Sequence, residues 1–372
     1  MGTHAPHRSD GFTHTFVPLA AAILSCACAA PEPAPLLDAG NVPALQRQID
    51  LLVVADNSSS TDELRDTLAM HLPALLDALG KDAADLPDLR LGVVTADLGA
   101  GPYRLGTCER VGGDGGKLRP PASRQGCPKL EAPYVELVAG KSNVPGPEPE
   151  LEKLAQAFRC QLALGNGGCE FEQPLEAARR ALDPARRVNP GFLRPGALLA
   201  VLFVTDEDDC SAAKTELYRP VPAGLTDPLG PLSGFRCFEF GIWCDVNDRS
   251  KIGPRHGCRP VGDWLVAIAE YESFFRQLKP PGRLLLAAVA GPPEPVEVGL
   301  DVTEPTLLPS TGRCFEGGAL PAIRIHALLE RFPPLLFAPK CVRGQLSGDY
   351  RPLLSSLGNA LRSRLPPSRP AL

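Results

Sequence analysis

Two apolar runs, each stopping on an acid, constrain this chain more than anything else in it. Leu51-Leu52-Val53-Val54-Ala55 runs straight into Asp56, and Leu198-Leu199-Ala200-Val201-Leu202-Phe203-Val204-Thr205 runs into Asp206. Runs without polar alternation read as strands buried on both faces, which a parallel sheet covered by helices provides. After Asp56 come Ser58 and Ser60, and Thr61-Asp62-Glu63-Leu64 then opens a helical pattern with Ser60 or Thr61 as its N-cap. The chain thus passes from buried strand through a polar turn into helix. Open α/β sheets bind ligands at the carboxyl ends of such strands.

The rest of the pattern extends this alternation. Apolar runs predict strands over 49–55, 89–95, 198–205 and 283–290, with an edge strand over 134–138 and a last strand over 335–338. Helical spacing predicts helices over 61–79, 150–164, 174–182, 263–279, 320–332 and 350–365. Strands alternating with helices give an α/β, doubly wound, mostly parallel sheet with helices on both faces. The stretches at about 96–149, 207–262 and 291–319 are expected to be long irregular insertions, because much of the chain's 41 Pro and 36 Gly falls there. The folded domain is expected over 49–365, with a short tail over 366–372. Net charge is -5, and no Lys/Arg run is long enough to track a phosphate backbone, so nucleic acid is not an expected partner.

The first residues read as an export signal. A polar start with Arg8 leads into an apolar run from Phe16 to Leu24, too short to span a bilayer, where about 20 residues are needed. Ile23-Leu24-Ser25-Cys26 resembles a bacterial lipoprotein cleavage box. The resemblance implies removal of residues 1–25 and lipidation of Cys26, although Leu24 stands where a smaller residue is usual. Ala27 after the cysteine resembles lipoproteins sent to the outer membrane. The alternative is an ordinary signal peptide cut near Ala27 to Ala30 and a secreted or periplasmic product. Residues 26–48, with Pro31, Pro33, Pro35 and Pro43, read as anchor and tether. The lipid would be the chain's only hold on a membrane.

Of the 12 cysteines, ten lie beyond position 28, and an even number in an exported chain favours disulfides. Short loops close easily, so Cys108–Cys127, Cys160–Cys169 and Cys237–Cys244 are the first expectation, leaving Cys210–Cys258 and Cys314–Cys341. Zinc spacing is absent beyond the signal region, and Cys28 is left without an assigned role.

Asp56-x-Ser58-x-Ser60 after a buried strand, with a later strand ending in Thr205-Asp206, resembles the metal-ion-dependent adhesion site of von Willebrand factor type A domains. The resemblance spans roughly 48–365, with large insertions. One carboxylate and two hydroxyls are hard oxygen ligands of the kind Mg²⁺ takes. The resemblance implies that Asp56, Ser58, Ser60 and Asp206 bind Mg²⁺, or Mn²⁺ or Ca²⁺. An open position on the ion would then accept a carboxylate or other oxygen from a protein partner. The family has a Thr in a Gly-rich loop ahead of the helix before the Asp206 strand. Here that loop is Gly165-Asn166-Gly167-Gly168-Cys169-Glu170-Phe171-Glu172-Gln173, without Thr, and Glu170, Glu172 or a water could take its place. An added carboxylate would lower the ion's pull on an acidic partner.

Two neighbouring stretches read more plainly. Glu207, Asp208 and Asp209 are expected on a solvated loop face, and Thr95-Ala96-Asp97 is expected to be a strand-end turn. Catalysis has little to stand on. His71, His256 and His326 neighbour no nucleophile motif, and there is no H-E-x-x-H or Walker A loop. A binding protein is therefore expected. The alternatives are a metal-free scaffold that binds through its loops and, behind it, a metal-dependent hydrolase.

Overall fold

A computed structural model describes residues 1–2, 44–220, 224–311, 318–340 and 348–367. In chain order the elements are β1 (Gln48–Ala55), α1 (Asp62–Leu79), β2 (Asp88–Thr95), β3 (Val135–Val138), β4 (Lys141–Ser142), α2 (Glu150–Leu162) and α3 (Pro174–Leu182). They continue with β5 (Leu198–Val204), α4 (Phe235–Gly241), β6 (Ile242–Trp243), β7 (Gly253–Arg255), β8 (Arg259–Pro260) and α5 (Ile268–Leu278). The last are β9 (Leu284–Ala290), β10 (Val296–Asp301), β11 (Glu304–Leu307), α6 (Ile323–Leu329), β12 (Leu336–Pro339) and α7 (Arg351–Arg362).

Seven strands form the central sheet in the order β12-β9-β5-β1-β2-β3-β4. The first five of these are mutually parallel, and β3 and β4 extend the sheet antiparallel beyond β2. The chain adds β2 on one side of β1 and then β5, β9 and β12 on the other. The winding direction therefore reverses between β1 and β5, the switch point where such sheets open a crevice at their carboxyl edge. Asp56 and Asp206 stand just past the ends of these two strands.

Alternation along β1 divides the core. Leu51, Val53 and Ala55 pack with α1, α2 and α7, while Leu52 and Val54 pack with α3, α5 and α6. Both faces are covered, as the unbroken apolar runs require. Each large aliphatic buried this way contributes roughly 1.5–3 kcal/mol.

The structure departs from the predicted elements in three places. Helix α5 starts at Ile268, not 263, because the Trp264 carbonyl accepts the Ala213 amide at 2.8 Å and the Val266 amide donates to Ser211 at 2.9 Å. Pairing with a distant segment holds those residues extended. The stretch after 291, expected to be irregular, contains the β10–β11 hairpin, on whose first strand Val296 and Val298 are buried. The insertion after Asp206 is also structured, carrying α4 and the short strands β6 to β8.

The disulfides also differ from expectation. The observed pairs are Cys108–Cys169, Cys127–Cys160, Cys210–Cys237 and Cys244–Cys258. Cys108–Cys127, Cys160–Cys169, Cys237–Cys244 and Cys210–Cys258 do not form. Loop closure explains the error, since each doubling of loop length costs only about 0.6 kcal/mol. Packing of separate loops against one another decides instead. Residues 1–25, Cys26, Cys28, Cys314 and Cys341 belong to expectations that lie outside the described residues, apart from residues 1–2.

Candidate metal centre

The turn after β1 is held by its own first residue. Asp56 Oδ1 accepts the Ser58 amide at 2.6 Å, and Asp56 Oδ2 accepts the Ser58 hydroxyl at 3.0 Å. Ser58 Oγ lies 3.0 Å from Ser60 Oγ, so a line of oxygens runs from buried Asp56 to exposed Ser60. Behind the turn, Arg65 of α1 is buried. It donates to the Asp56 carbonyl at 2.8 Å and to the Gly165 carbonyl at 2.7 Å, fastening the Gly-rich loop to the turn. Gly168 lies so close to Asn57 that a Cβ there would stand 2.4 Å from the Asn57 side-chain oxygen. The Cys108–Cys169 bridge anchors the same loop one residue on.

That loop delivers Glu172. Its carboxylate accepts the Thr205 hydroxyl at 2.5 Å, and its carbonyl accepts the Cys210 amide at 2.7 Å. Asp56, Glu172 and Asp206 are all buried, and one carboxylate oxygen from each lies within 4.8 Å of the others. Oxygens on opposite sides of Mg²⁺ stand about 4.2 Å apart, and on Ca²⁺ about 4.6–5.2 Å, so the spacing suits a hard cation without naming it. Glu172 therefore joins the site, whereas Glu170 is exposed beside the Cys108–Cys169 bridge. Ser58 and Ser60 border the triad through Asp56.

The electrostatics point the same way. Burial first, and then the Asp206 carboxylate, lift Asp56 to about 7. Glu172 is raised well above the usual range by burial and by Asp56. Half-buried Glu207 is pushed to about 8 by desolvation and by Asp206. Asp206 Oδ1 is buried and has no hydrogen-bond partner. Three converging carboxylates with one orphaned oxygen fit a divalent cation; the chemistry such an ion supplies is an open Lewis-acid position for an oxygen ligand. Asp56, Glu172 and Asp206 would hold it.

Lys340, which follows β12, joins the site although the sequence motifs do not mark it. Its Nζ sits 2.7 Å from Asp206 Oδ2. The sequence did offer a signal: Lys340 ends a short apolar strand, just as Asp56 and Asp206 do.

The acidic run after β5 is not the solvated face expected of it. Asp208 caps α6, accepting the Arg324 amide at 2.8 Å and the Ile325 amide at 3.2 Å. Asp209 is fully buried. It pairs with buried Arg324 at 3.2 Å and accepts the Leu175 amide at 3.0 Å at the start of α3. Ser211 donates to it as well, by its hydroxyl at 2.6 Å and by its amide at 3.3 Å. Loop residues with this many convergent donors are drawn inward. Past β2, Asp97 accepts the Gly99 amide at 2.8 Å, and Thr95 donates to Asp114 at 2.7 Å. Arg110 pairs with both Asp97 and Asp114, so that strand end is a closed ion-pair turn.

No family model matches the chain, and no curated protein matches it. Three solved chains do. One is the crystal structure of the human COPII-coat protein Sec24c, 12% identical, with a TM-score of 0.34, covering 88% of this chain and 33% of that one. The chain thus spans about a third of the length of that neighbour.

Proposed function

We propose that this chain is an envelope-anchored binding protein whose α/β domain, resembling the type A fold, captures a protein partner through a divalent ion. The observation that carries the reading is the meeting of Asp56, Glu172 and Asp206 within 4.8 Å at the switch point, with Asp206 Oδ1 left without a partner. Ser58 and Ser60 lie at the rim, where a shifted hydroxyl or a water would complete the shell, and Mg²⁺, Mn²⁺ or Ca²⁺ are the candidate ions. The rim insertions that surround the site would select the partner, as loops on rigid scaffolds do. Export and lipidation at Cys26 are part of the same proposal. The reading is of recognition, and what supports it is that the clustered groups are carboxylates with no histidine among them to activate the Ser58 hydroxyl.

A second reading has one observation in its favour. Lys340 already neutralises Asp206, so the crevice can stand without metal and bind through its loops alone. Metal analysis of the purified protein, with partner capture measured in Mg²⁺ and in chelator, separates the two. Capture that survives both chelator and Asp56→Ala would replace the metal-dependent reading with the metal-free one.

A further inference from the structure

The candidate centre contains a cation of its own. Lys340 Nζ contacts Asp206 Oδ2 at 2.7 Å, the Ser60 carbonyl at 3.1 Å and the Gly318 carbonyl at 3.4 Å. Three acceptors use the three N–H bonds an ammonium has to give. Its backbone is fixed as well: the Lys340 amide donates to Ala290 at 2.9 Å, extending the β9–β12 ladder, and the Tyr350 hydroxyl donates to the Lys340 carbonyl. The side chain is thus placed from both ends and is buried.

Asp206 is divided as a result. Oδ2 belongs to Lys340, and Oδ1 is the buried oxygen without a partner. The charge is divided too. Asp56, Glu172 and Asp206, all ionised, would carry three negative charges, and Lys340 removes one. Over these three carboxylates and Lys340, with Glu207 kept protonated by its raised pKa, what is left is the charge that one divalent ion cancels.

We propose that Lys340 is a resident second cation of this site. It holds Asp206 by Oδ2 so that Oδ1 is left to a metal, and it matches the site to a divalent ion over a trivalent one. This deepens the metal reading above and rests on it. Lys340 acts as a positioning residue: with every N–H engaged, it influences the ion through Asp206 and through its own charge. Removing that charge lowers a repulsion that scales with the charge of the ion, so a trivalent ion gains more than a divalent one.

The test is calorimetric titration of the purified full-length protein with Mn²⁺ and with Tb³⁺, in wild type, Lys340→Met and Lys340→Arg. The expected result is a Tb³⁺ over Mn²⁺ preference that rises at least tenfold in Lys340→Met and returns to within a few-fold of wild type in Lys340→Arg. A preference in Lys340→Met within threefold of wild type overturns the proposal while leaving the metal site standing. Absence of Mn²⁺ and Tb³⁺ binding in both wild type and Lys340→Met sinks the metal reading, and this inference with it. If Lys340→Met does not fold, amine labelling of the wild type decides. Lys340 should stay slow to acetylate with and without Mn²⁺, and acceleration by Mn²⁺ would show that lysine and metal compete for Asp206.

Discussion

Asp56→Asn removes one carboxylate from the buried cluster and keeps a carbonyl oxygen to accept the Ser58 amide. In the metal-free wild type, burial and Asp206 raise Asp56 from 3.8 to about 7. Between these values the folded protein keeps a proton that the unfolded chain has released. The stability tied to that proton is complete at about pH 4 and is lost as pH rises through about 7. A shift of about three units at 1.36 kcal/mol each gives roughly 4 kcal/mol as the upper cost of ionising Asp56. Asparagine carries no such cost. In chelator, Asp56→Asn should therefore be about 1–4 kcal/mol more stable than wild type at pH 8, with the difference falling to roughly 40% of that value by pH 5 and nearing zero only below about pH 4. Urea unfolding at pH 5, 6, 7 and 8 measures it, with an unchanged m-value confirming the same transition. Excess Mg²⁺ or Mn²⁺ should reverse the order at pH 8, because only wild type gains from a bound ion. A variant less stable than wild type by a constant amount at every pH would refute the reasoning, since it would mean that Asp56 serves as a structural hydrogen-bonder and not as a repelled charge.

Metal affinity should fall by more than about tenfold per pH unit below about pH 7, because Asp56 and Glu172 must both give up protons on binding, and calorimetry in buffers of different ionisation enthalpy counts those protons directly. Asp209→Ala should cost about 3–5 kcal/mol in urea unfolding because it strands Arg324 in the core; a loss under 1 kcal/mol would contradict the buried pairing. Replacing Cys108 and Cys169 together by Ser should cost about 2–4 kcal/mol and weaken Mn²⁺ binding, because the loop carrying Glu172 loses its anchor. Unchanged binding would mean that Arg65 holds the loop unaided. Cys26→Ser should move the protein out of the membrane fraction or leave it unprocessed, and a wild-type N-terminus beyond Cys28 would dismiss the lipid anchor.

The sequence shows what is local and hides what is made by distant contacts. β1 and β5 are legible because burial on both faces writes itself as unbroken apolar runs, and helix α3 because Pro174 opens a helical pattern that ends at Leu182. Asp56 and Asp206 follow from strand ends. Glu172 could be seen only as one of two acids in a loop, since its choice over Glu170 depends on Thr205 and Cys210 lying beside it in space. Asp209 was misplaced for the same reason: nothing local announces Arg324 as its partner. The β10–β11 hairpin did carry a signal, the alternation Val296, Val298, Leu300, but the prolines around it favoured an irregular stretch.

How the Glu172 loop is held gives the acidic cluster its functional meaning. Like charges in a flexible loop separate by swinging apart into water. Glu172 is denied that escape from three directions: Arg65 grips Gly165, Cys108 bridges Cys169, and the Cys210 amide holds the Glu172 carbonyl. Asp56 is fixed by a ladder that continues through it, its amide donating to Val204, and Asp206 by the Thr205 amide donating to Val289 just before it and by its own carbonyl accepting from Leu320 of the loop ahead of α6. A cluster that cannot spread must change its charge, and it can do so only by taking up a proton or a cation. Proton uptake explains the raised Asp56 and Glu207 of the metal-free state, and Lys340 supplies one fixed positive charge. The oxygen that neither relieves is Asp206 Oδ1, buried and without a hydrogen-bond partner, on a residue of the three-carboxylate cluster. Rigidity of the surrounding loops, more than the acids themselves, is what would turn this strand edge into a receptor for an ion.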